Sequence, residues 1–123
     1  MNIRSLKRLE QAHPDLIKLM TEAAKQCPVD IEISEVLRTK ARQAELMKAG
    51  ASQTMRSRHL TGHAADIYCT VGGKVRWDWP LYSKAAVHIK AVAKKLGIAI
   101  VWGGDWKSLR DGPHFELDRK IYP

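Results

Sequence analysis

The sequence predicts an α+β fold in which a small antiparallel sheet carries its helices on one side. Three observations predict this class. Segments with helical spacing of apolar residues come first, short alternating or apolar strand-like segments dominate later, and a Gly-Gly pair joins two of those strands as a hairpin. With 123 residues, 45% of them hydrophobic, the chain fits one globular domain spanning residues 1–123.

The first fifty residues predict three helices and a strand. Apolar residues recur at helical spacing over residues 5–26, and Pro14 divides this segment into two pieces. Residues 30–35 alternate isoleucine with polar residues, as a strand with one buried face does. Residues 39–49 are rich in helix formers, and Gly50 is a suitable residue to end that helix.

A loop and a hairpin are predicted in the middle of the chain. Residues 51–63 are polar and indicate a loop. Residues 64–71 indicate a strand, and Gly72 and Gly73 form a turn that leads into a second strand at residues 74–77. This hairpin contributes two neighbouring antiparallel strands to the predicted sheet.

The last third predicts a long helix followed by two strands. The helix covers residues 80–96, with Pro80 near its start and Gly97 just beyond its end. The apolar run 98–102 and residues 114–117 indicate the two strands.

Charge and composition limit the classes of partner. The chain has 21 Lys and Arg against 13 Asp and Glu, a net charge of +8, which favours a polyanionic partner. It lacks the motifs of specific nucleic-acid binding, and its longest apolar run is far below the ~20 residues of a membrane span. The amino terminus has no apolar signal region, so we expect a monomer made in the cytoplasm without membrane insertion. The two cysteines are too few for a disulfide scaffold and predict buried thiols.

Three residues in two polar segments are candidate metal ligands. His59 and Asp66 lie in the segment SRHLTGHAAD, and His114 begins the last predicted strand. Imidazole and carboxylate groups both suit zinc. Two histidines and one aspartate would leave a fourth position open for water, as in a catalytic zinc site.

These segments resemble the zinc peptidases of the D-alanyl-D-alanine carboxypeptidase and dipeptidase group, whose fold is shared with lysostaphin-type peptidases and the hedgehog signalling domain. The similarity is strongest to the phage endolysin branch, the L-alanyl-D-glutamate endopeptidases. It rests on S-x-H-x-x-G-x-A-x-D at 57–66, D-x-P-H-F-E at 111–116, E-V-L-R-T-K-A-R-Q at 35–43, the stretch 50–59, and W-G-G-D-W at 102–106.

The resemblance assigns roles to individual residues. It implies that His59, Asp66 and His114 bind Zn²⁺ and that Asp111 is the general base, where many relatives have Glu. Arg38 matches the substrate-orienting arginine, which would stabilise an oxyanion or grip a substrate carboxylate. Taken without the resemblance, Arg38 indicates only a surface charge on a strand-to-helix turn.

Several other residues keep more than one interpretation. Ser57 and Gln43 match recurrent supporting positions at the substrate site of the family. Glu116 could orient a metal ligand or serve as the base in place of Asp111. His63 could border the cleft.

Three residues near Gly103 and Gly104 are also left open. Asp105 indicates a loop cap more than a base. Trp102 and Trp106 fit a cleft wall and a buried core equally well.

The resemblance implies a zinc-dependent endopeptidase that cleaves the L-Ala–D-Glu bond of bacterial peptidoglycan stem peptides. It further implies a phage or prophage endolysin, released from the host cytoplasm through a holin-type pore to act on the cell wall. Because the last predicted strand lies a few residues before Pro123, we expect no separate wall-binding domain. The alternatives are a D,D-carboxypeptidase or D-Ala-D-Ala dipeptidase and, less in keeping with a full ligand set, a non-catalytic zinc-binding module.

Overall fold

The computed structural model describes residues 1–50, 57–108 and 110–123 of the chain. In these residues it has four α-helices, five strands and two short 3₁₀ turns. The helices are α1 (Ile3–Leu9), α2 (Pro14–Lys25), α3 (Lys40–Lys48) and α4 (Trp79–Leu96). The strands are β1 (Asp30–Glu35), β2 (Ala64–Val71), β3 (Lys74–Arg76), β4 (Ile100–Trp102) and β5 (His114–Leu117), and the 3₁₀ turns are Arg58–Thr61 and Gly103–Asp105.

The strands form one antiparallel sheet. Their order is β1-β2-β5-β4, and β3 pairs with β2 as the second strand of the hairpin. The α+β prediction is therefore confirmed. In the register of β2 against β5, Asp66 lies directly opposite His114. Two residues far apart in the sequence thus meet at one place on the sheet.

The helix ends follow the local signals in the sequence. Pro14 occupies the first turn of α2, where its missing N–H leaves no hydrogen bond unmade. Thr39 caps α3 by accepting a hydrogen bond from the Arg42 N–H at 3.0 Å. Gly97 ends α4 with φ +72°, a left-handed conformation that glycine adopts without strain. The first helix begins slightly earlier than predicted, because Asn2 caps it.

One part of the predicted loop 51–63 is regular. Arg58–Thr61 forms a 3₁₀ turn. A single turn has too few residues to show a periodic pattern in the sequence. The rest of that prediction, residues 51–56, lies outside the described residues. The hairpin and the final strands match their predictions within two residues.

The core lies between α2, α4 and one face of the sheet. Odd-numbered residues of β1, β2 and β5 point into it, as does Trp102 of β4, because side chains alternate along a strand. Cys69 is buried in this core, whereas Cys27 is only partly buried. The sheet contributes Ile31, Ile33, Ala65, Ile67, Cys69, Phe115 and Leu117, and the two helices contribute Leu16, Leu19, Met20, Ala23, Tyr82, Ala85, Ala86, Ile89 and Ala93.

The opposite face of the sheet carries the polar residues. Asp66, His114 and Glu116 alternate with core residues in β2 and β5, so they point away from α2 and α4. Among the described residues, every helix is too short or too polar to cross a lipid bilayer. The sheet therefore presents one apolar face to α2 and α4 and one polar face to a candidate site.

Candidate metal centre and active site

Three side chains meet on the polar face of the sheet. One ligand atom each of His59, Asp66 and His114 lies within 4.8 Å of the other two. The Asp66 Oδ1 atom is 3.2 Å from His59 Nε2 and 3.2 Å from His114 Nδ1. The two imidazole rings stand edge to face, with centroids 5.1 Å apart. The described residues therefore include a compact group that can hold a metal ion.

The 3₁₀ turn positions His59. Ser57 precedes the turn, and its hydroxyl oxygen accepts a hydrogen bond from the His59 N–H at 3.2 Å. The His59 carbonyl accepts from the Arg38 N–H at 2.9 Å. The ring Nδ1 lies 2.8 Å from the Val36 carbonyl oxygen, which can only accept a hydrogen bond. An N–H on Nδ1 therefore donates to this carbonyl, and Nε2 is the ring nitrogen that faces Asp66.

Strand β5 positions His114 with Nδ1 toward Asp66, whereas His59 faces Asp66 with Nε2. The Nε2 atom of His114 lies 2.8 Å from Glu116 Oε1, and its Nδ1 atom faces Asp66. His114 is 6% exposed and Glu116 is 9% exposed, so this contact is shielded from water. Each histidine thus has one nitrogen fixed by the protein and the other directed at the shared aspartate.

The carboxylates of Asp66 and Glu116 determine the electrostatics of this group. Burial would raise the pKa of Asp66, but hydrogen bonds and charge from His114 and His59 hold it well below its usual range. Burial disfavours the charged form of His114, yet the hydrogen bonds to Asp66 and Glu116 outweigh it and raise the pKa of His114 to about 9. The site therefore attracts positive charge, which a bound cation can supply in place of a proton.

The donor set fits zinc. Two imidazole nitrogens and one carboxylate oxygen are ligands of the kind found at zinc, and three protein ligands leave a fourth position open. In each histidine the outer nitrogen, the one turned away from Asp66, has a protein partner. His59 Nδ1 contacts the Val36 carbonyl, and His114 Nε2 contacts the Glu116 carboxylate. Metal-binding histidines in proteins usually have such partners.

Asp111 lies on the loop that enters β5. Its N–H donates to the Gly103 carbonyl at 3.0 Å, and its own carbonyl accepts from the His114 N–H at 3.2 Å. Burial raises the pKa of its carboxyl, as does the charge of Asp66, while His114 and other nearby cations lower it. The side chain is half-buried and within the electrostatic field of the candidate ligands.

Arg38 lies inside the protein beside Asp66. Its side chain is 10% exposed, its Nη1 donates to Gln43 Oε1 at 2.7 Å, and its Nε pairs with Glu35. Its Nη2 is 3.9 Å from Asp66 Oδ2. Gln43 is fully buried on α3. The interpretation of Arg38 as a surface charge is therefore wrong, because α3 covers it and supplies a partner.

Other candidates have contacts elsewhere. His63 Nδ1 lies 2.6 Å from Thr61 Oγ1, and its ring packs against His13 at 5.4 Å between centroids. Asp105 is exposed and forms an ion pair with Lys90. In the part of the chain that the structure describes, neither His63 nor Asp105 joins the three-residue metal group.

The two tryptophans have different environments. Trp102 is buried in the core, and its Nε1 donates to the Gly112 carbonyl at 2.7 Å. Trp106 is half-buried, with its ring centroid 5.0 Å from that of His114. Trp106 therefore borders the candidate site, a difference that the sequence pattern did not reveal.

Gly103 permits the close packing of the loop beside the site. A Cβ atom there would lie 2.3 Å from the Asp111 carbonyl oxygen and 3.0 Å from His114 Cβ. No local sequence pattern indicates this requirement, because the two chain segments are brought together only by the fold.

We expect Gly103→Ala to displace this loop and lower the free energy of unfolding by about 1–3 kcal/mol, the usual effect of overpacking. Chemical denaturation measures the change. A loss below about 0.5 kcal/mol, as at an ordinary surface position, would contradict the proposed tight contact.

The sequence of residues 1–122 matches the family model of phage L-alanyl-D-glutamate peptidases. The chain belongs to this family. A Serratia marcescens L-Ala D-Glu endopeptidase, ChiX, has a similar crystal structure, with a TM-score of 0.95 and 46% identity. That match covers all of this chain and 92% of the Serratia chain.

Two phage proteins are also similar to this family member. The L-alanyl-D-glutamate peptidase of Listeria phage A118 is 42% identical over 94 residues, which is 76% of this chain and 32% of the Listeria protein. The L-alanyl-D-glutamate peptidase of Escherichia phage T5 is 31% identical over 122 residues, covering 96% of this chain and 88% of the T5 protein. The chain thus spans about a third of the Listeria relative and most of the T5 relative.

Proposed function

We propose that this protein is a zinc-dependent endopeptidase that hydrolyses the L-Ala–D-Glu bond of peptidoglycan stem peptides. The observation that carries the proposal is the group His59, Asp66 and His114 with Asp111 on the adjoining loop. Family membership supports the choice of the L-Ala–D-Glu bond. The relatives from phage T5 and Serratia are named for this bond, and this chain matches most of the length of each.

The catalytic roles follow from the chemistry of these groups. Zinc, when bound, polarises the scissile carbonyl and lowers the pKa of water from about 15.7 to about 7. Asp111 takes a proton from the water oxygen as that oxygen attacks the carbonyl carbon. Asp111 then gives the proton to the D-Glu nitrogen as the C–N bond breaks. The products are an L-Ala carboxylate and a free D-Glu amine.

Arg38 is proposed to act on the substrate beside the metal. Its Nη2 lies next to Asp66, while Glu35 and Gln43 hold the guanidinium in place. A guanidinium held in this way can stabilise an oxyanion or grip a substrate carboxylate. Gln43 contacts Arg38, and Ser57 contacts the His59 backbone. These contacts favour positioning roles for Gln43 and Ser57 at the substrate site.

We expect Arg38→Ala to lower kcat or raise KM by about 10²-fold, the usual effect of losing one preorganised donor. Zinc content should stay unchanged, because Arg38 is not a proposed ligand. The matched control is Arg42→Ala, since Arg42 is exposed on α3 and pairs with Glu45. Steady-state kinetics with zinc analysis measure both effects, and unchanged kinetics for Arg38→Ala would contradict this role.

The cellular role is part of the same proposal. A phage or prophage endolysin, acting as a monomer, would reach the peptidoglycan through a holin-type pore, and the phage relatives support this role. The net charge of +8 would concentrate the protein at an anionic wall in a salt-dependent way.

Digestion of purified peptidoglycan tests which bond is cut. Mass spectrometry of the new termini should find amino-terminal D-Glu. Released D-Ala or D-Ala-D-Ala would instead indicate a D,D-carboxypeptidase or dipeptidase. Absence of cleavage by zinc-loaded protein on several wall types would favour a non-catalytic zinc-binding module.

A further inference from the structure

The contact between Glu116 and His114 bears on how the metal is held. We infer that Glu116 is a positioning residue that fixes His114 with Nδ1 toward the metal ion and thereby strengthens metal binding. This inference rests on the proposed function, because it takes His59, Asp66 and His114 as the ligands.

The two nitrogens of His114 face different partners. Nε2 lies 2.8 Å from Glu116 Oε1, and Nδ1 lies 3.2 Å from Asp66 Oδ1. A neutral imidazole carries one N–H, and an ionised carboxylate can only accept. When a metal ion takes the place of the proton between Nδ1 and Asp66, the Glu116 contact keeps the remaining N–H on Nε2 and leaves the Nδ1 lone pair for the metal.

Glu116 is itself held in place. It lies two residues from His114 on the same face of β5, a strand paired on both sides, with Ala64 and Val101 as its opposite neighbours. It is 9% exposed, and its Oε2 is 3.7 Å from Arg119 Nε. A cation beside this buried carboxylate compensates part of its desolvation.

The same geometry argues against Glu116 as the general base. Its carboxylate contacts Nε2, on the edge of the imidazole ring away from Nδ1 and Asp66. A base must reach the water that attacks the substrate, and the ring of His114 stands between Glu116 and that position. Glu116 therefore acts through His114 rather than on the substrate.

His59 offers an internal comparison. The neutral Val36 carbonyl contacts its outer nitrogen at 2.8 Å, where His114 has a charged carboxylate. A carboxylate partner raises the basicity of a histidine ligand more than a neutral acceptor does. His114 is thus expected to be the more strongly donating of the two histidines.

Zinc affinity of the full chain tests the inference. Metal-free wild type, Glu116→Ala and Glu116→Gln are titrated with zinc against a chromophoric chelator. We expect Glu116→Ala to bind zinc about 10–100-fold more weakly. Glu116→Gln should fall between it and wild type, because the amide oxygen still accepts from Nε2–H without the negative charge. Glu22→Ala, an exposed glutamate variant on α2, should bind as wild type does.

A second readout separates positioning from general stability. Nitrogen-15 NMR of the zinc-loaded wild type should find His114 protonated at Nε2 and metal-bound at Nδ1, a pattern that Glu116→Gln retains. Thermal unfolding of the metal-free forms identifies any variant that fails to fold.

Wild-type zinc affinity in folded Glu116→Ala, or a zinc-bound Nε2 on His114, would overturn the inference while leaving the proposed function intact. A wild-type protein that binds no zinc would overturn the metal-dependent function and this inference together. The wild-type titration therefore distinguishes the two failures.

Discussion

Replacement of Asp111 by Ala or Asn is expected to lower kcat by about 10²–10⁴-fold, the contribution typical of a general acid–base group. Metal binding should stay near that of wild type, because the proposed ligands are His59, Asp66 and His114. The backbone hydrogen bonds that hold the loop run from the Asp111 N–H to the Gly103 carbonyl and from the His114 N–H to the Asp111 carbonyl, so they do not involve the Asp111 side chain. Turnover of a stem-peptide substrate, with zinc content measured on the same samples, checks this expectation.

The matched control for Asp111 is Asp105→Ala. Asp105 is exposed on a neighbouring 3₁₀ turn and pairs with Lys90, so its loss should change kcat little. Near-normal turnover of both Asp111 variants would show that the proton is transferred by another group. Equal losses in the Asp105 and Asp111 variants would indicate a structural effect of the loop.

Replacement of His114 by Ala is expected to remove the metal and, with it, the activity. A direct ligand contributes more than an outer partner, so the loss of zinc affinity should exceed about 100-fold. The variant also leaves Glu116 with only the more distant Arg119 contact among the ion pairs described for it. We therefore expect a lower melting temperature as well, measured alongside zinc content.

His88→Ala provides the control for losing an imidazole. His88 lies on α4, and its Nε2 contacts the Ala23 carbonyl oxygen at 2.9 Å. Its replacement should affect stability without changing zinc content. Stoichiometric zinc in His114→Ala, at wild-type affinity, would contradict the assignment of His114 as a ligand.

Local sequence patterns predicted most of the secondary structure, because strand alternation and the residues at helix ends depend on interactions between near neighbours in the chain. The alternation in β1, Pro14 at the start of α2 and Gly97 at the end of α4 each specify one element. The 3₁₀ turn at Arg58–Thr61 was missed, since one turn is too short for a periodic signal. Its position matters because it carries His59.

Residue chemistry and family resemblance together pointed to His59, Asp66 and His114, but their arrangement is a property of the fold. The pairing of β2 with β5 sets Asp66 opposite His114, and no local pattern specifies that register. The burial of Arg38 depends on α3, which brings Gln43 over it. The local sequence pattern, taken without the family resemblance, therefore indicated only a surface charge for Arg38.

Contacts made by the backbone were the least accessible to sequence reasoning. The Val36 carbonyl that fixes His59 carries no side-chain signal, since every residue has a carbonyl. The close approach of Gly103 to Asp111 likewise follows from tertiary packing. In contrast, His114 and Glu116 are two residues apart in one strand, a spacing that puts both on the same face, and they are in contact in the structure.

The central claim is that peptidoglycan cleavage depends on one metal ion at His59, Asp66 and His114. The most direct test removes metal from the wild-type protein with a chelator, dialyses the chelator away and adds zinc in sub-stoichiometric steps. Release of amino-terminal D-Glu from purified peptidoglycan is followed at each step. We predict no cleavage without metal and recovery that saturates at one zinc per chain. Undiminished cleavage by fully metal-free protein would contradict the account.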